Sequence, residues 1–176
     1  IRILNISVGA CSKRGMSENS ALVKGVNRAW DAGLVVVVAA GNNGPRTMSI
    51  TTPGISRKVI TVGCSDDDRE VLVGGNRMVD YSGRGPTAAC ICKPDLVAPG
   101  CSVVSCSSRA DKYTIKSGTS MSTPIVSGAV ALLLERFPDM SNKDVKLRLR
   151  ESSVDIGLPR NQQGWGLLDV GKMIGK

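Results

Sequence analysis

Two short apolar segments and a helical pattern between them mark the first part of the chain. Residues 2–8 (RILNISV) and 34–40 (LVVVVAA) are rich in β-branched side chains and too short for typical helices, so they predict buried strands. Apolar residues over 17–32 recur at helical spacing, Gly33 is a helix stop, and residues 9–16 predict a loop. This order predicts a βαβ unit with parallel strands and a right-handed crossover.

The rest of the chain predicts more short strands and two long helices. Residues 120–137 are apolar nearly all round after Pro124, which predicts a helix buried on most sides. Ser141 with Asp144 resembles a capping box and predicts the start of another helix, with its basic residues on the outer side. Residues 66–80 favour a surface hairpin or loop. Further strands are predicted at 59–62, 95–98 and 103–106, turns at 41–45, 82–86 and 164–166, and a short terminal helix after the last turn.

The composition supports a single α/β domain, with a mainly parallel sheet flanked by helices, over residues 1–176. Hydrophobic residues make up 41% of the 176 residues and aromatic residues only 3%, so Val, Ile, Leu and Ala must build the core. No apolar stretch reaches the length of a membrane span, so no membrane partner is predicted.

The formal net charge of +8 admits two interpretations, a nucleic-acid partner or a solvated basic surface. The basic residues are scattered apart from one helical cluster, and few aromatic side chains are available to stack on bases. We therefore predict a solvated surface and no nucleic-acid partner. The cluster consists of Lys143, Lys146, Arg148 and Arg150.

The six cysteines indicate reduced thiols rather than a zinc site. Four of them lack the paired CxxC spacing of structural zinc sites, and the chain is not a small cysteine-dense scaffold. Disulfides stay an alternative at this point, and no metal site is predicted. The cysteines are Cys11, Cys64, Cys90, Cys92, Cys101 and Cys106.

A serine-rich segment at residues 118–124 (GTSMSTP) directly precedes the predicted buried helix. The start of a helix offers unpaired N–H groups and the positive end of its dipole, which can stabilise an oxyanion when a serine attacks a carbonyl group. Helix chemistry alone favours a simpler interpretation, in which Ser120 is the N-cap of the helix.

This segment, with the residues Ile-Val-Ser-Gly that follow it, resembles the nucleophile motif of the subtilisin-like serine proteases (subtilases, peptidase family S8). Blocks that resemble four other family motifs occur in the family's order and approximate spacing, so the resemblance covers essentially the whole chain. Ile125 departs from the histidine that many members carry there. That histidine is not the catalytic base, and Ile125 suits an apolar helix interior. The four blocks are residues 4–9 (LNISVG), 37–44 (VVAAGNNG), 82–86 (SGRGP) and 93–100 (KPDLVAPG).

The resemblance implies a role for particular residues. Ser120 becomes the nucleophile, and Asn42 becomes the side-chain donor of the oxyanion hole beside the Ser120 N–H, although Asn42 alone would be interpreted as a turn former. The resemblance also assigns residues that bind the substrate. Some of them pair with the substrate backbone, and the others line the pocket for the residue before the cleaved bond. They are Ser7, Val8 and Gly9, then Ala39, Ala40 and Gly41, and Thr119. A cis peptide bond at Thr52–Pro53 is a further hypothesis from the resemblance.

The chain contains no histidine, although the family's serine needs a histidine base oriented by an aspartate. The resemblance places the aspartate and histidine blocks before the first predicted strand. We therefore expect a C-terminal portion of the peptidase domain, inactive alone, that cleaves polypeptides once a segment carrying both blocks joins it. Without that segment, residues 3–8, beginning at Ile3, would form an exposed edge strand through which the chain self-associates.

Two other functions remain alternatives to a serine endopeptidase. One is a noncatalytic, protease-like scaffold that binds extended peptides. The other is a nucleotide-binding α/β domain, which the absence of GxGxxG and GxxxxGK[ST] patterns disfavours.

The resemblance implies no required cofactor, but calcium is a candidate structural ion. The acidic run at residues 66–68 could bind it, with a solvated loop as the simpler interpretation. The cysteines and a similarity to bacterial cytosolic members favour a cytoplasmic location, and secretion is the alternative.

Overall fold

A computed structural model describes residues 1–10, 18–108 and 112–175, so most of the predicted loop at 9–16 lies outside the described residues. Its elements follow in chain order. They are β1 (Ile3–Ile6), α1 (Ala21–Asp31), β2 (Val35–Ala39), β3 (Ile60–Cys64), β4 (Val71–Val73), β5 (Asn76–Met78), β6 (Leu96–Ala98), β7 (Val103–Cys106), β8 (Tyr113–Lys116), α2 (Thr119–Arg136), α3 (Asn142–Ser152), α4 (Arg160–Gln163) and α5 (Val170–Ile174).

The predicted βαβ unit is confirmed by β1, α1 and β2. The two strands are parallel, with Ile3 opposite Val35 in the register. Ser20 caps α1 by accepting a hydrogen bond from the N–H of Val23. Gly33 follows the helix with a φ of +90°, a conformation that glycine adopts without a steric penalty.

A parallel sheet in the order β1-β2-β3-β6 forms the centre of the fold and confirms the predicted α/β class. All residues of β2, β3 and β6 are buried, which explains why their sequences are continuously apolar or small rather than alternating. Strand β1 lies at one end of this order. Among the described residues, no strand pairs with its outer edge.

Helix α2 packs across the sheet and contacts all four of its strands. Its apolar residues join the largest hydrophobic cluster, as the predicted buried helix requires. The helix begins one residue before the predicted start, because Gly118 occupies the N-cap position. The N-cap interpretation of Ser120 is therefore wrong: Ser120 is the second residue of α2, inside its first turn.

Helix α3 has the predicted capping box between Ser141 and Asp144. The prediction that its basic residues lie on the outer side is wrong for Lys146 and Arg148. Arg148 is half-buried, and its Nε atom donates to the backbone oxygen of Met173 at 2.7 Å. The Nζ atom of Lys146 donates to three consecutive carbonyl groups that precede β3, and it lies 5.7 and 5.9 Å from the ring centroids of Trp30 and Trp165. The long side chain turns inward because carbonyl oxygens and aromatic faces both attract its charge.

Two antiparallel hairpins lie outside the main sheet. β4 pairs with β5, which confirms the hairpin alternative for residues 66–80. β7 pairs with β8, a strand that the sequence did not predict because it lacks clear alternation. The described part of the chain has no helix with the length and apolarity needed to cross a membrane.

Candidate active site

The hydroxyl group of Ser120 lies at the start of α2, close to the end of β1. It is half-buried, and its Oγ atom donates a 2.8 Å hydrogen bond to the backbone oxygen of Ser7. The N–H of Ser120 belongs to the first turn of α2, where backbone donors have no carbonyl partner within the helix. Ser120 thus combines a hydroxyl group with a nearby helix N-terminus that can stabilise negative charge.

Asn42 follows the carboxyl end of β2 and reaches the same helix start. Its Oδ1 atom accepts hydrogen bonds from the N–H and from the Oγ1 of Thr119, both at 3.0 Å. These bonds fix the amide so that its oxygen faces Thr119 and its Nδ2 atom faces Gly118. A Cβ atom on Gly118 would lie 3.2 Å from Nδ2, and the φ of Gly118 is +142°, so this position requires glycine.

Thr119 joins the helix to the strand end. Its side chain is buried, and its Oγ1 atom accepts a 3.1 Å hydrogen bond from the N–H of Gly41 while donating to Asn42. Residues 77 and 78 positions apart in sequence are therefore held in one small network. The network fixes the position of the Asn42 amide relative to the first turn of α2.

The segment after β1 is tied to α2 through Asn5. The Oγ of Ser127 donates to Asn5 Oδ1 at 2.8 Å, and Asn5 Nδ2 donates to Ser7 Oγ at 3.0 Å. Farther along, Ala10 and Thr52 exchange backbone hydrogen bonds. Residues 7–9 are therefore held at both ends, next to Ser120.

The acyl pocket, a cavity of about 310 Å³, lies between this segment and the end of β2. Val8 is 70% exposed and Ala40 is fully buried, and neither lines the pocket. Thr51, which the sequence analysis did not single out, lies between Gly9 and Gly41. A Cβ atom on either glycine would clash with the Thr51 side chain. The lining residues are Gly9, Ala39, Gly41, Asn42, Asn43, Thr51, Thr119 and Ser120. The peptide bond Thr52–Pro53 beside this pocket is cis, as hypothesised.

The hairpin pocket, a second cavity of about 460 Å³, lies on the other side of Ser120 and Asn42. The sequence did not predict it, because its walls come from β4–β5 and from the unpredicted strand β8. Apart from Ser120 and Asn42, Met121 is the lining residue that belongs to a motif identified in the sequence, the segment GTSMSTP. The remaining lining residues are Leu72, Val73, Gly74, Gly75, Ile115, Lys116 and Ser117.

Comparison with known proteins identifies the family of this chain. Residues 1–166 match the family model of the subtilase family, Peptidase_S8. The chain belongs to the subtilase family. It is 40% identical over 167 residues to Serine protease AprX from Bacillus subtilis (strain 168), covering 87% of this chain and 38% of that protein. It is 34% identical over 170 residues to Subtilisin DY from Bacillus licheniformis, covering 96% of this chain and 55% of that protein.

Solved structures show the same subtilase fold. The structure of Sphericase superposes with a TM-score of 0.76 and 31% sequence identity, covering 96% of this chain and 56% of that one. The chain therefore spans 38–55% of the length of the two named relatives, and it represents part of the subtilase architecture.

The acidic run of this subtilase chain is occupied by backbone contacts. Asp66 Oδ1 accepts from the N–H groups of Gly100 and Cys101, and Asp67 Oδ2 accepts from the N–H of Ser82. Burial raises the pKa of Asp67 above its ordinary value, and the hydrogen bond from Ser82 opposes this. Within the described ranges, no group of three or more His, Cys, Asp or Glu residues is arranged to hold a metal ion. The solvated-loop interpretation is wrong for Asp67, which is buried, and calcium stays a candidate ion for this run.

The cysteines in the described part of the chain are free thiols, and Cys11 lies outside it. Cys64 is buried beside Tyr81, with 3.2 Å between Sγ and the tyrosine OH. Burial raises the pKa of the Cys64 thiol to about 12, although the hydrogen bond with Tyr81 opposes this. Cys64 is therefore a protonated core residue rather than a reactive thiol.

A buried charge cluster of Lys93, Asp95 and Lys146 lies at the start of β6. Lys93 Nζ donates to Asp95 Oδ2 at 2.5 Å, and Lys146 Nζ lies 3.4 Å from Asp95 Oδ1. Asp95 Oδ2 also accepts from the N–H of Thr61 in β3. Burial lowers the pKa of Lys93 to about 8, and the Asp95 carboxylate opposes this. Lys93 and Asp95 belong to the block KPDLVAPG and Lys146 belongs to α3, and the cluster joins β3 to the start of β6.

Proposed function

We propose that this chain supplies the nucleophile, the oxyanion donor and the substrate-binding surface of a serine endopeptidase. The observation that carries the proposal is that Ser120 and Asn42 line the same pocket at the N-terminus of a buried helix. A hydroxyl nucleophile, an amide donor and unpaired helix N–H groups are the parts that acyl transfer from a peptide bond needs. Membership of the subtilase family supports this assignment.

The proposed reaction begins when the Ser120 Oγ attacks the carbonyl carbon of the substrate. A base from outside these 176 residues takes the hydroxyl proton, while Asn42 Nδ2 and the Ser120 N–H stabilise the negative oxygen. The C–N bond then breaks, the proton passes to the leaving amine, and an acyl group stays on Ser120. Water attacks this ester with the help of the same base, which releases the acid and restores the Ser120 hydroxyl.

The hydrogen bond from Ser120 to Ser7 explains why we propose that the chain alone is inactive. A backbone carbonyl oxygen accepts the hydroxyl hydrogen, but it is far too weak a base to remove the proton at neutral pH. The sequence contains no histidine to take over this role. A segment that brings a histidine and an orienting aspartate would turn the Ser120 hydroxyl away from Ser7 and toward the base.

Covalent labelling with a fluorophosphonate probe tests the proposal. The chain is labelled alone and after mixing with a polypeptide that carries the aspartate and histidine blocks of a subtilase. We expect labelling only in the mixture, and loss of labelling in the variant Ser120→Ala. Ser105→Ala is the control, because Ser105 is an exposed serine on β7 that lines neither pocket.

Strong labelling of the chain alone would contradict the need for an external base. Absence of labelling in the mixture, after assembly of the two pieces is shown by sedimentation, would contradict the proposed catalysis.

The second candidate is a noncatalytic scaffold that binds extended peptides. The observation that favours this candidate is that the Ser120 hydroxyl donates to a backbone oxygen and not to a base. Binding of a peptide at residues 7–9 by an assembled complex that cannot be labelled would support this candidate.

The remaining roles are proposals of smaller scope. Polypeptides are the proposed substrates, and the segment with the aspartate and histidine is the proposed partner. A cytoplasmic location stays a prediction. One similar protein, from Natrialba magadii, is named a halolysin-like extracellular serine protease, which supports the alternative of secretion.

A further inference from the structure

The acyl pocket and the hairpin pocket share only Ser120 and Asn42 among their lining residues. Since both pockets open at Ser120, a peptide whose cleaved bond lies against Ser120 has one pocket available on each side of that bond. Residues 7–9, which would pair with the substrate backbone, border the acyl pocket through Gly9. The hairpin pocket is left for the residues that follow the cleaved bond.

The walls of the hairpin pocket are apolar and come from two separate hairpins. Leu72 on β4 is 64% exposed, and Ile115 on β8 is 66% exposed. Large apolar side chains at both positions leave apolar surface open to solvent. This surface lies at the opening beside Ser120.

Lys116 supplies the charge of the hairpin pocket. It is the only ionisable side chain among the described residues that line this pocket, and no carboxylate accompanies it there. An apolar wall with one cation is complementary to a segment that carries an apolar and an acidic side chain. By contrast, the residues that line the acyl pocket are all uncharged.

We propose that the hairpin pocket selects substrates with an apolar and an acidic side chain within the first three residues after the cleaved bond. The inference rests on the proposed protease function, because it takes Ser120 as the point of cleavage. Lys116 acts as a specificity-determining residue for the leaving side of the substrate. Leu72 and Ile115 supply affinity that does not depend on charge.

The expected effect of Lys116 is modest. Its side chain is exposed, and an exposed ion pair changes an equilibrium by up to about fivefold. Added salt must weaken the preference, because charges in contact with solvent are screened at high ionic strength.

Binding to the 176-residue chain tests the inference without catalysis. The probes are pairs of hexapeptides with a free N-terminus, an apolar residue, and either Glu or Lys at one of the first three positions. We expect tighter binding of the Glu peptide by about two- to fivefold for at least one position. Lys116→Gln should remove the preference, and Lys116→Glu should reverse it.

Lys112→Glu is the matched control, because Lys112 precedes the same strand, is exposed and does not line the pocket. It changes the net charge as Lys116→Glu does, and it should leave the preference unchanged. Leu72→Ser and Ile115→Ser should weaken binding of both peptides by the same factor. An unchanged preference in Lys116→Glu, or its equal loss in Lys112→Glu, would overturn the inference.

Competitive cleavage separates this inference from the proposed function. The assembled mixture of the two pieces, without the probe, is given both members of a peptide pair that differ only after the cleaved bond. Mass spectrometry gives kcat/KM for the Glu peptide divided by kcat/KM for the Lys peptide. A ratio above one that is lost in Lys116→Gln supports the inference. Cleavage with a ratio of one contradicts the inference alone, whereas no cleavage with intact Glu-selective binding contradicts the proposed function alone.

Discussion

The Oγ of Ser120 donates to the backbone oxygen of Ser7 at 2.8 Å, although the two residues are 113 positions apart in sequence. The bond brings the first turn of α2 to the end of β1, where a substrate strand would pair. The proposed nucleophile is thus held at the substrate-binding edge before any base is present.

Asn42→Ala should lower the turnover of the assembled protease. Loss of one oxyanion donor costs about 10²- to 10³-fold in kcat, a magnitude known from the equivalent asparagine of a subtilisin. KM should change little, because the donor acts mainly on the charge that develops in the transition state. Steady-state kinetics on a chromogenic peptide measure both values. A higher KM at unchanged kcat would assign Asn42 to substrate binding instead.

Gly118→Ala should destabilise the chain by about 1–3 kcal/mol, because a residue with a Cβ atom is strained at this backbone conformation. The new methyl group would also press on Asn42 Nδ2, at 3.2 Å. Gly128→Ala in the same helix is the control, since nothing lies within 4 Å of its Cβ position, and it should stabilise by about 0.5–1 kcal/mol. Urea unfolding measures both. Equal effects of the two substitutions on the free energy of unfolding would contradict the requirement for glycine at position 118.

Asp95→Ala should destabilise the chain by about 3–5 kcal/mol, because it leaves the buried Lys93 without its carboxylate partner. Asp31→Ala removes the exposed pair with Lys58 and should cost no more than about 1 kcal/mol. Thermal and urea unfolding compare the two variants. A small effect of Asp95→Ala would show that Lys93 becomes neutral or reaches water at little cost.

Stability should fall at alkaline pH through Cys64. The pKa of its thiol is about 12 in the folded chain, against an ordinary value of 9.0. Between these pH values the folded state keeps the proton and the unfolded state releases it, so the free energy of unfolding decreases as pH rises from 9 to 12. Cys64→Ser should show a shallower decrease, and Cys106→Ser, at an exposed cysteine, should follow the wild type.

The outer edge of β1 should cause the chain to self-associate at high concentration. Among the described residues β1 pairs on one side only, with β2, so the N–H and C=O groups on its other side invite a further strand. Sedimentation velocity over a range of concentrations measures the association. Addition of the segment with the aspartate and histidine blocks should reverse it. A monomer at every concentration would contradict this prediction.

The sequence alone determined the fold class and the main residues of the candidate site. Continuous apolar runs at β2 and β3 require burial on both faces, and the helical spacing between β1 and β2 requires a parallel crossover. The motif GTSMSTP and Asn42 could be recognised because each lies in a contiguous block that resembles a subtilase motif. Their chemistry alone favoured an N-cap and a turn former.

Only the tertiary structure decided how distant segments meet. In the structure the Ser120 hydroxyl donates to Ser7, and Thr51 lies between Gly9 and Gly41 of the acyl pocket. The Lys146 side chain turns inward, and β7 pairs with β8 beside Ser120. None of these contacts has a local pattern, because each depends on which segments the sheet and α2 bring together. Periodicity along a chain records which face of an element is buried, whereas the partner at that face is set by packing between residues far apart in sequence.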